Sequence, residues 1–453
     1  MNRYRRLTKR VLPLAIAIGF WTGMTLCASA QKVVNIWHTE PNPATIAAMN
    51  EIIAKFEKEN PGIKVIQEAV GWADLDKKMQ TALASGALPE ASHGQTYIER
   101  SLAAKGLLRP LDDVVASIGE DDIFDVVKKL DYNTKEKKYY GLAHAVGADL
   151  IVYRKDFLRE AGIPEQAPKT WREWLDQLKK LTVDTPKGKR YGLTLAGQGF
   201  WANEDLYMWV GSNGGRLFAD NGRPTFTEKP VLETLEFWKE LSDCCVPPDW
   251  LSQDYLGSVA DVAVGKAAMV MSWGRASGYF EQYAPDQVKN NEFGVFNVKP
   301  LGPNGKEFLT QFDCEPWMIF KDSKNPEEAA AFLKFFFRPD NYLTYVKSVP
   351  IQLFPITKSM QSNPGYQALP EIQKWKFWVE AQKNIIQSNE PKPLLITRWQ
   401  DLDLPFIAEI AGSGILSDMV IDVMKNGKTP LESATRAQKR AETLIGQLGY
   451  ANW

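Results

Sequence analysis

The chain has 453 residues, 44% of them apolar, with 54 basic and 55 acidic side chains and a formal net charge of −1. This length is long for one core and natural for two lobes. Five of the basic residues fall in the first ten, so the remainder is acidic by roughly 6 charges, a poor match to nucleic acid or an anionic membrane surface.

Arg3, Arg5, Arg6, Lys9 and Arg10 precede an uncharged, mostly apolar run from Val11 to Leu26, and Ala28-Ser29-Ala30 follows as a small-x-small site. This order predicts a cleaved export signal over residues 1–30 and a working chain that starts at Gln31. The apolar run is short for a bilayer span, and no later segment resembles one. Leu26 stands where a lipoprotein signal needs a small residue, so Cys27 is expected to leave with the signal.

Beyond it, Lys32 to Trp37 alternates as a strand. Asn42 and Pro43 then open a helix carrying Ile46, Met49, Ile53 and Phe56 at helical spacing, stopped by Asn60-Pro61-Gly62. Ile63 to Gln67 reads as the next strand. Leu75, Met79 and Leu83 mark a second helix ended by Gly86, and Ile98 with Leu102 a third closed by Gly106. This alternation argues for an α/β fold with a parallel sheet covered on both faces.

Tyr139 to Val146 and Leu150 to Tyr153 form an extended pair around Gly147. Thr170-Trp171-Arg172-Glu173 is a capping box for a helix that continues through Trp174, Leu178 and Leu181. Tyr191 to Leu195 is a strand, and Leu206, Trp209 and Val210 lie on a helix ending at Gly214-Gly215. Ala267 to Trp273 is a strand; Phe308 to Phe312 and Pro316 to Phe320 are again extended. Asn325-Pro326 opens a helix that runs through Phe337, and the helical tail has a further capping box at Thr429 to Glu432. There are no repeats and no flexible linker, so the chain must cross between lobes inside strands.

Fifteen Trp, as many as Tyr, raise the odds of a surface for stacking on flat apolar ligand faces. Trp171, Trp174, Trp209 and Trp238 occupy helical stripes and read as core. Cys244, Cys245 and Cys314 read as small buried thiols; a vicinal bridge between the first two would be strained. No Cys/His spacing suggests zinc, and His38, His93 and His144 have no paired spacing. No metal or other cofactor is expected. No Gly-x-Ser-x-Gly elbow appears. Glu40, Asp149, Asp313 and Glu315 could supply the carboxylate pair of an exported glycosidase, but none sits in a recognisable catalytic motif.

Several landmarks in order carry a family resemblance. They are Val33-Val34-Asn35-Ile36-Trp37-His38, the Phe56-to-Val65 helix-to-strand turn, Ala84-Ser85-Gly86-Ala87-Leu88-Pro89, and Gly106-Leu107-Leu108-Arg109-Pro110-Leu111. Further on come Tyr153-Arg154-Lys155-Asp156-Phe157-Leu158, Lys169-Thr170-Trp171 with Trp174, Gly265-Lys266-Ala267-Ala268-Met269 and Asn325-Pro326-Glu327-Glu328-Ala329-Ala330. Together they resemble the extracellular solute-binding proteins of ABC sugar importers, the family that includes maltose-binding protein, over nearly the whole mature chain. The stretch from Glu90 to Thr96 departs from the family in being unusually polar.

The resemblance implies the type II periplasmic-binding-protein fold, two α/β lobes with the ligand cleft between them and three crossings near 145–148, 311–315 and 351–355. It divides the chain into a first lobe over 31–146 and 312–355, and a second over 147–311 and 356–453 with the C-terminal helices. It also implies a periplasmic, non-enzymatic protein that takes a carbohydrate ligand, serves an ABC importer's membrane permease and works as a monomer. Candidate ligand contacts at strand ends and helix starts are Trp37, His38, Glu40, Trp72, Gln95 and Thr96 in the first lobe. In the second lobe they are Trp201, Asn203, Trp273 and Arg275, with Asp149, Phe312, Asp313 and Trp399 near the crossings. Arg275 and His38 keep an anionic sugar derivative open as a variant.

Overall fold

The computed structural model describes residues 31–198, 200–388, 392–395 and 404–451; the export signal and Trp399 lie outside the described residues. Strand β1 (Lys32–His38) leads into helix α1 (Pro43–Glu59), whose N-terminus is capped by the Asn42 side chain accepting from the Ala44 N–H at 2.8 Å. β2 (Ile63–Ala69) and α2 (Trp72–Ser85) follow, and Gly86 closes α2 at φ 68°, a left-handed backbone that glycine adopts without a Cβ penalty. β3 (Ala91–His93) and α3 (Thr96–Ala104) complete this unit.

The 13-residue strand β4 (Leu142–Arg154) passes straight through Gly147. Next come α4 (Trp171–Leu181), β5 (Gly188–Thr194), α5 (Phe200–Ser212), α6 (Lys229–Cys244), α7 (Tyr255–Ala263), β6 (Ala267–Ser272), α8 (Ala276–Tyr283) and β7 (Phe293–Phe296). The second long strand is β8 (Leu309–Ile319), followed by α9 (Pro326–Phe336), α10 (Pro339–Val346) and α11 (Lys376–Ser388). Strand β9 (Lys392–Leu395) precedes the C-terminal helices α12 (Ile407–Gly412), α13 (Ile415–Met424) and α14 (Pro430–Gln447). The capping box expected at Thr429 is complete. At Thr170 only half of it forms, because the Glu173 carboxylate accepts from Lys169 N–H instead.

The strands join in the order β2-β1-β3-β8-β4-β6-β5, with β7 beside β4, β9 beside β8 and a short strand over 183–185 outermost. The expected all-parallel sheet is corrected here. β1 pairs parallel with β2 and β3, and β5 with β6, but β8 runs antiparallel to β3 and β4, and β4 antiparallel to β6. The two extended pairs read from the sequence are each one continuous strand. Residues 142–149 of β4 pair with β8, while residues 150–154 lie between β6 and β7. The chain thus crosses from one half of the sheet to the other without leaving β structure. A third strip, at Phe354, accepts a backbone bond from Val146 at 3.1 Å.

The core explains most of the tryptophans. Trp174, Trp209, Trp238, Trp250, Trp317 and Trp378 are fully buried and Trp171 nearly so. Trp174 stacks on Trp209 with centroids 5.0 Å apart, and Trp171 on Phe237 at 4.4 Å. Cys244 and Cys245 form a disulfide, correcting the expectation of free thiols; α6 ends between them, where Cys245 leaves helical backbone (φ −131°, ψ −2°). Cys314 is buried and lies outside that disulfide. Helix α12 packs on α3, where Ser101 donates to the Pro405 carbonyl at 2.7 Å, while Phe406 meets Phe218 at 5.8 Å.

Candidate functional site

The ends of β1, β3 and β6 converge with the middle of β4 and β8 on a buried polar layer. Beyond the last β1 residue, Glu40 is fully buried and accepts from Arg275 Nη2 at 2.6 Å, and Arg275 follows β6 on the far side of the crossing strands. Burial pushes the Glu40 carboxyl up, against the pull of Arg275. Burial works against the Arg275 charge too, but Glu40, with Glu315 adding to it, holds the guanidinium above its ordinary value. The Arg275 backbone N–H is bonded by Gln352 Oε1 at 3.0 Å. Its neighbour Gly274 is packed so closely that a Cβ would stand 2.2 Å from the Ile351 carbonyl oxygen.

The polar stretch from Glu90 to Thr96 turns inward. Glu90 Oε2 accepts from the Asn35 backbone N–H at 2.6 Å and from its amide at 3.1 Å. Thr96 donates to the Cys314 carbonyl at 3.1 Å. His93 accepts from the Thr39 N–H through Nδ1 at 3.3 Å, stacks on His144 and meets Trp317 edge-on at 3.9 Å. His144 owes its place to a β-bulge: between the pairs Cys314↔Val146 and Pro316↔Ala143, two residues of β4, His144 and Ala145, face one of β8, Glu315. The bulge brings His144 Nε2 within 3.1 Å of the Glu315 carboxylate, and Tyr345 Oη is bonded to His144 Nδ1 at 3.0 Å. Burial lowers the His38 pKa, and it lowers that of His93 further, with His144 and His38 adding repulsion.

Asp149, on β4, accepts from Lys299 Nζ at 3.1 Å with both side chains buried. Burial pushes the Asp149 carboxyl up, opposed by the Lys299 charge. Trp273 is half-buried and lies over Gly147, where a Cβ would stand 3.3 Å from its ring. Gln382 spans the crossings: its amide donates to the Ile351 carbonyl at 3.2 Å and accepts from Ala148 N–H at 3.4 Å.

The structure brings Glu40, Arg275 and Trp273 to the crossing region with Asp149, and it sets Asp313 opposite Gly147 in the ladder. The other expected residues are mostly buried, Phe312 and Thr96 against the crossing strands themselves. Phe312 is fully buried in the core instead of lining a surface. Trp37 is buried under Lys78, whose ammonium sits 4.3 Å from the ring centroid. His38 is bonded to Gln67 at 2.8 Å and fully buried. Gln95 and Thr96 are buried at the start of α3, and Trp72 is half-buried at the start of α2. Trp201 and Asn203 fall in the first turn of α5.

Sequence reasoning did not select Lys299, His93, His144, Tyr345, Gln352 or Gln382. The polarity of residues 90–96 was the one signal that pointed to part of this layer. Among the described residues, no group of three or more His, Cys, Asp and Glu is arranged to hold a metal ion. No helix of the described residues is long and apolar enough to cross a membrane.

Comparison with known proteins places this geometry. Residues 41–342 match the family model described as bacterial extracellular solute-binding protein. YcjN of Escherichia coli K12, a candidate ABC transporter periplasmic-binding protein, is 25% identical over 426 residues, covering 91% of this chain and 93% of its own. A solute-binding protein of an Agrobacterium radiobacter K84 ABC transporter, solved in complex with ribitol, superposes with a TM-score of 0.74 at 21% identity, covering 91% of this chain and 98% of its own. A sugar transporter protein of Arthrobacter chlorophenolicus A6 with bound laminaribiose gives a TM-score of 0.74 at 19% identity, covering 91% and 99%. At these identities the solved structures establish the fold, two lobes with a ligand cleft between them.

Proposed function

The chain belongs to the bacterial extracellular solute-binding proteins, and from that premise we propose that it captures a carbohydrate, from a polyol or monosaccharide to an oligosaccharide, and delivers it to the transmembrane permease of an ABC importer. The observation that carries this reading is the convergence at the crossing strands. Glu40, Asp149, Arg275 and Trp273 stand together where β4 and β8 change partners, so groups able to bond hydroxyls meet one ring able to stack on a sugar face. The ribitol and laminaribiose bound to the two structural relatives belong to the same chemical class.

In this reading residues 31–146 and 312–355 form one lobe, and residues 147–311 and 356–453 the other. Rotation about the β4, β8 and 351–355 crossings closes the cleft, dries the bonded hydroxyls and sets the outer lobe surfaces at a spacing the permease reads. Cleavage after Ala30 releases a periplasmic monomer whose lobes are free to move, and no chemistry is done on the ligand.

A thermal-shift screen of the mature protein over sugars and polyols tests this. A ligand that binds only the folded state raises the melting temperature by mass action. A panel that shifts nothing, or steady product release from a glycoside, overturns the reading.

A further inference from the structure

The guanidinium of Arg275 is the obvious anion receptor of this region, and its nearest partner is a carboxylate of the chain itself. Glu40 Oε1 takes Nη2 at 2.6 Å; Glu40 is fully buried and the Arg275 side chain 22% exposed. Glu315 adds a second negative field on the same guanidinium. The other cation of the region, Lys299, is held by Asp149 at 3.1 Å, with both side chains at most 4% exposed. Tyr255 feels both Arg275 and Asp149, so the two pairs belong to one electrostatic neighbourhood.

Three carboxylates, one of them Glu315 beside His144, therefore surround Arg275 and Lys299, and each of these cations already has a carboxylate partner. Glu40 Oε2 and Asp149 Oδ1 are buried without a hydrogen-bond donor among the described residues. Oxygens of this kind accept from hydroxyl groups, and they repel phosphate or carboxylate. An anionic ligand reaching the remaining donors of Arg275 would stand beside the Glu40 carboxylate, a like charge held at 2.6 Å from the same guanidinium that works against its binding.

Resting on the solute-binding reading above, we propose that Glu40 is a specificity-determining residue: by occupying Arg275 it makes the cleft accept uncharged polyhydroxylated solutes and reject their phosphorylated or carboxylated counterparts. Such a preference runs against the anionic variant that Arg275 and His38 suggested in the sequence.

The test uses the mature protein and matched pairs of probes: ribitol with ribitol 5-phosphate, mannitol with mannitol 1-phosphate, galactose with galacturonate, and glycerol with sn-glycerol 3-phosphate. Binding is read by thermal shift and calorimetry at one ionic strength. At least one neutral member should bind, with its anionic mate weaker by about 30-fold or more, a gap within the range of single charge contacts at interfaces. Glu40→Gln should narrow that gap at least about tenfold by releasing Arg275. Equal or tighter binding of the anionic mates to the wild type overturns the proposal while leaving solute binding intact, and so does a gap unchanged in Glu40→Gln. Should that variant fail to fold, the wild-type gap decides alone. If no probe of either charge binds, solute binding falls and the proposal with it.

Discussion

His93 lies flat against His144, with ring centroids 3.7 Å apart and planes 11° apart. The two rings stand on β3 and β4, the strands on either side of β8, and the stack closes the polar layer between those strands. Two imidazolium rings cannot share this contact at low cost, because their charges would meet with no water between them. His93 is fully buried, and its neutral form is the one the fold accepts.

That preference makes stability depend on pH. The folded pKa of His93 lies well below the ordinary value near 6.5, so the unfolded chain binds the proton more readily. The stabilisation is then fully present above about pH 6.5 and is lost as pH falls below it toward the folded pKa, with a slope near 1.4 kcal/mol per pH unit at most for one group. His38 shifts the same way, while burial of Glu40 and Asp149 acts in the opposite sense, adding stability as pH falls through their raised values. Melting curves of wild type and His93→Phe between pH 5 and 8 isolate the term. The wild type should lose more stability on acidification than the variant, and parallel curves would refute the assignment.

Lys299 and Asp149 form a pair that neither partner can leave cheaply. Lys299→Met should cost about 3 to 5 kcal/mol, since it strands a buried carboxylate, and Asp149→Leu added to it should recover much of the loss. Urea unfolding of the single and double variants measures both steps. A double variant as unstable as the single one would mean that packing, and not the stranded charge, sets the cost.

Gly274 and Gly278 sit one turn apart and should behave oppositely. A Cβ at Gly274 meets the Ile351 carbonyl oxygen at 2.2 Å, which only a backbone shift can relieve, whereas one at Gly278, in α8, meets nothing within 4 Å. Gly274→Ala should destabilise by about 2 kcal/mol or more. Gly278→Ala should be neutral or stabilise by up to about 1 kcal/mol, because alanine is the better helix former. Equal effects would show that the 274–351 contact is looser than described.

Ligand closure should be visible in scattering and in fluorescence. Two of the crossings are continuous strands and the third, 351–355, is a short turn, so a saturating sugar should shrink the radius of gyration by hinge rotation and perturb Trp emission. Trp273→Ala should weaken that sugar's binding by more than about 1 kcal/mol if its ring is the stacking face. An unchanged affinity would move Trp273 out of the site, and identical scattering curves with and without a bound sugar would exclude the hinge.

The amino-acid sequence by itself determined the local elements. The Asn42 and Thr429 caps, the Gly86 stop, the strand from Lys32 and the tryptophan stripes at 171, 174 and 209 all follow from propensity and spacing within one or two turns of chain. The family resemblance extended this to the crossings at 145–148 and 311–315, which fall inside β4 and β8. Tertiary structure alone decided which polar residues meet. Glu40 and Arg275 are 235 positions apart, and Gln382 reaches β4 across a similar span; no local signal records such a pairing. The same holds for strand direction and for exposure. β4 and β8 run antiparallel because they carry the chain between the two halves of the sheet, and His38 and Phe312, placed at strand ends by their sequence, point inward because side chains alternate faces along a strand. Local sequence sets which residues can stand at a strand end; only the packing of distant strands sets what each one faces.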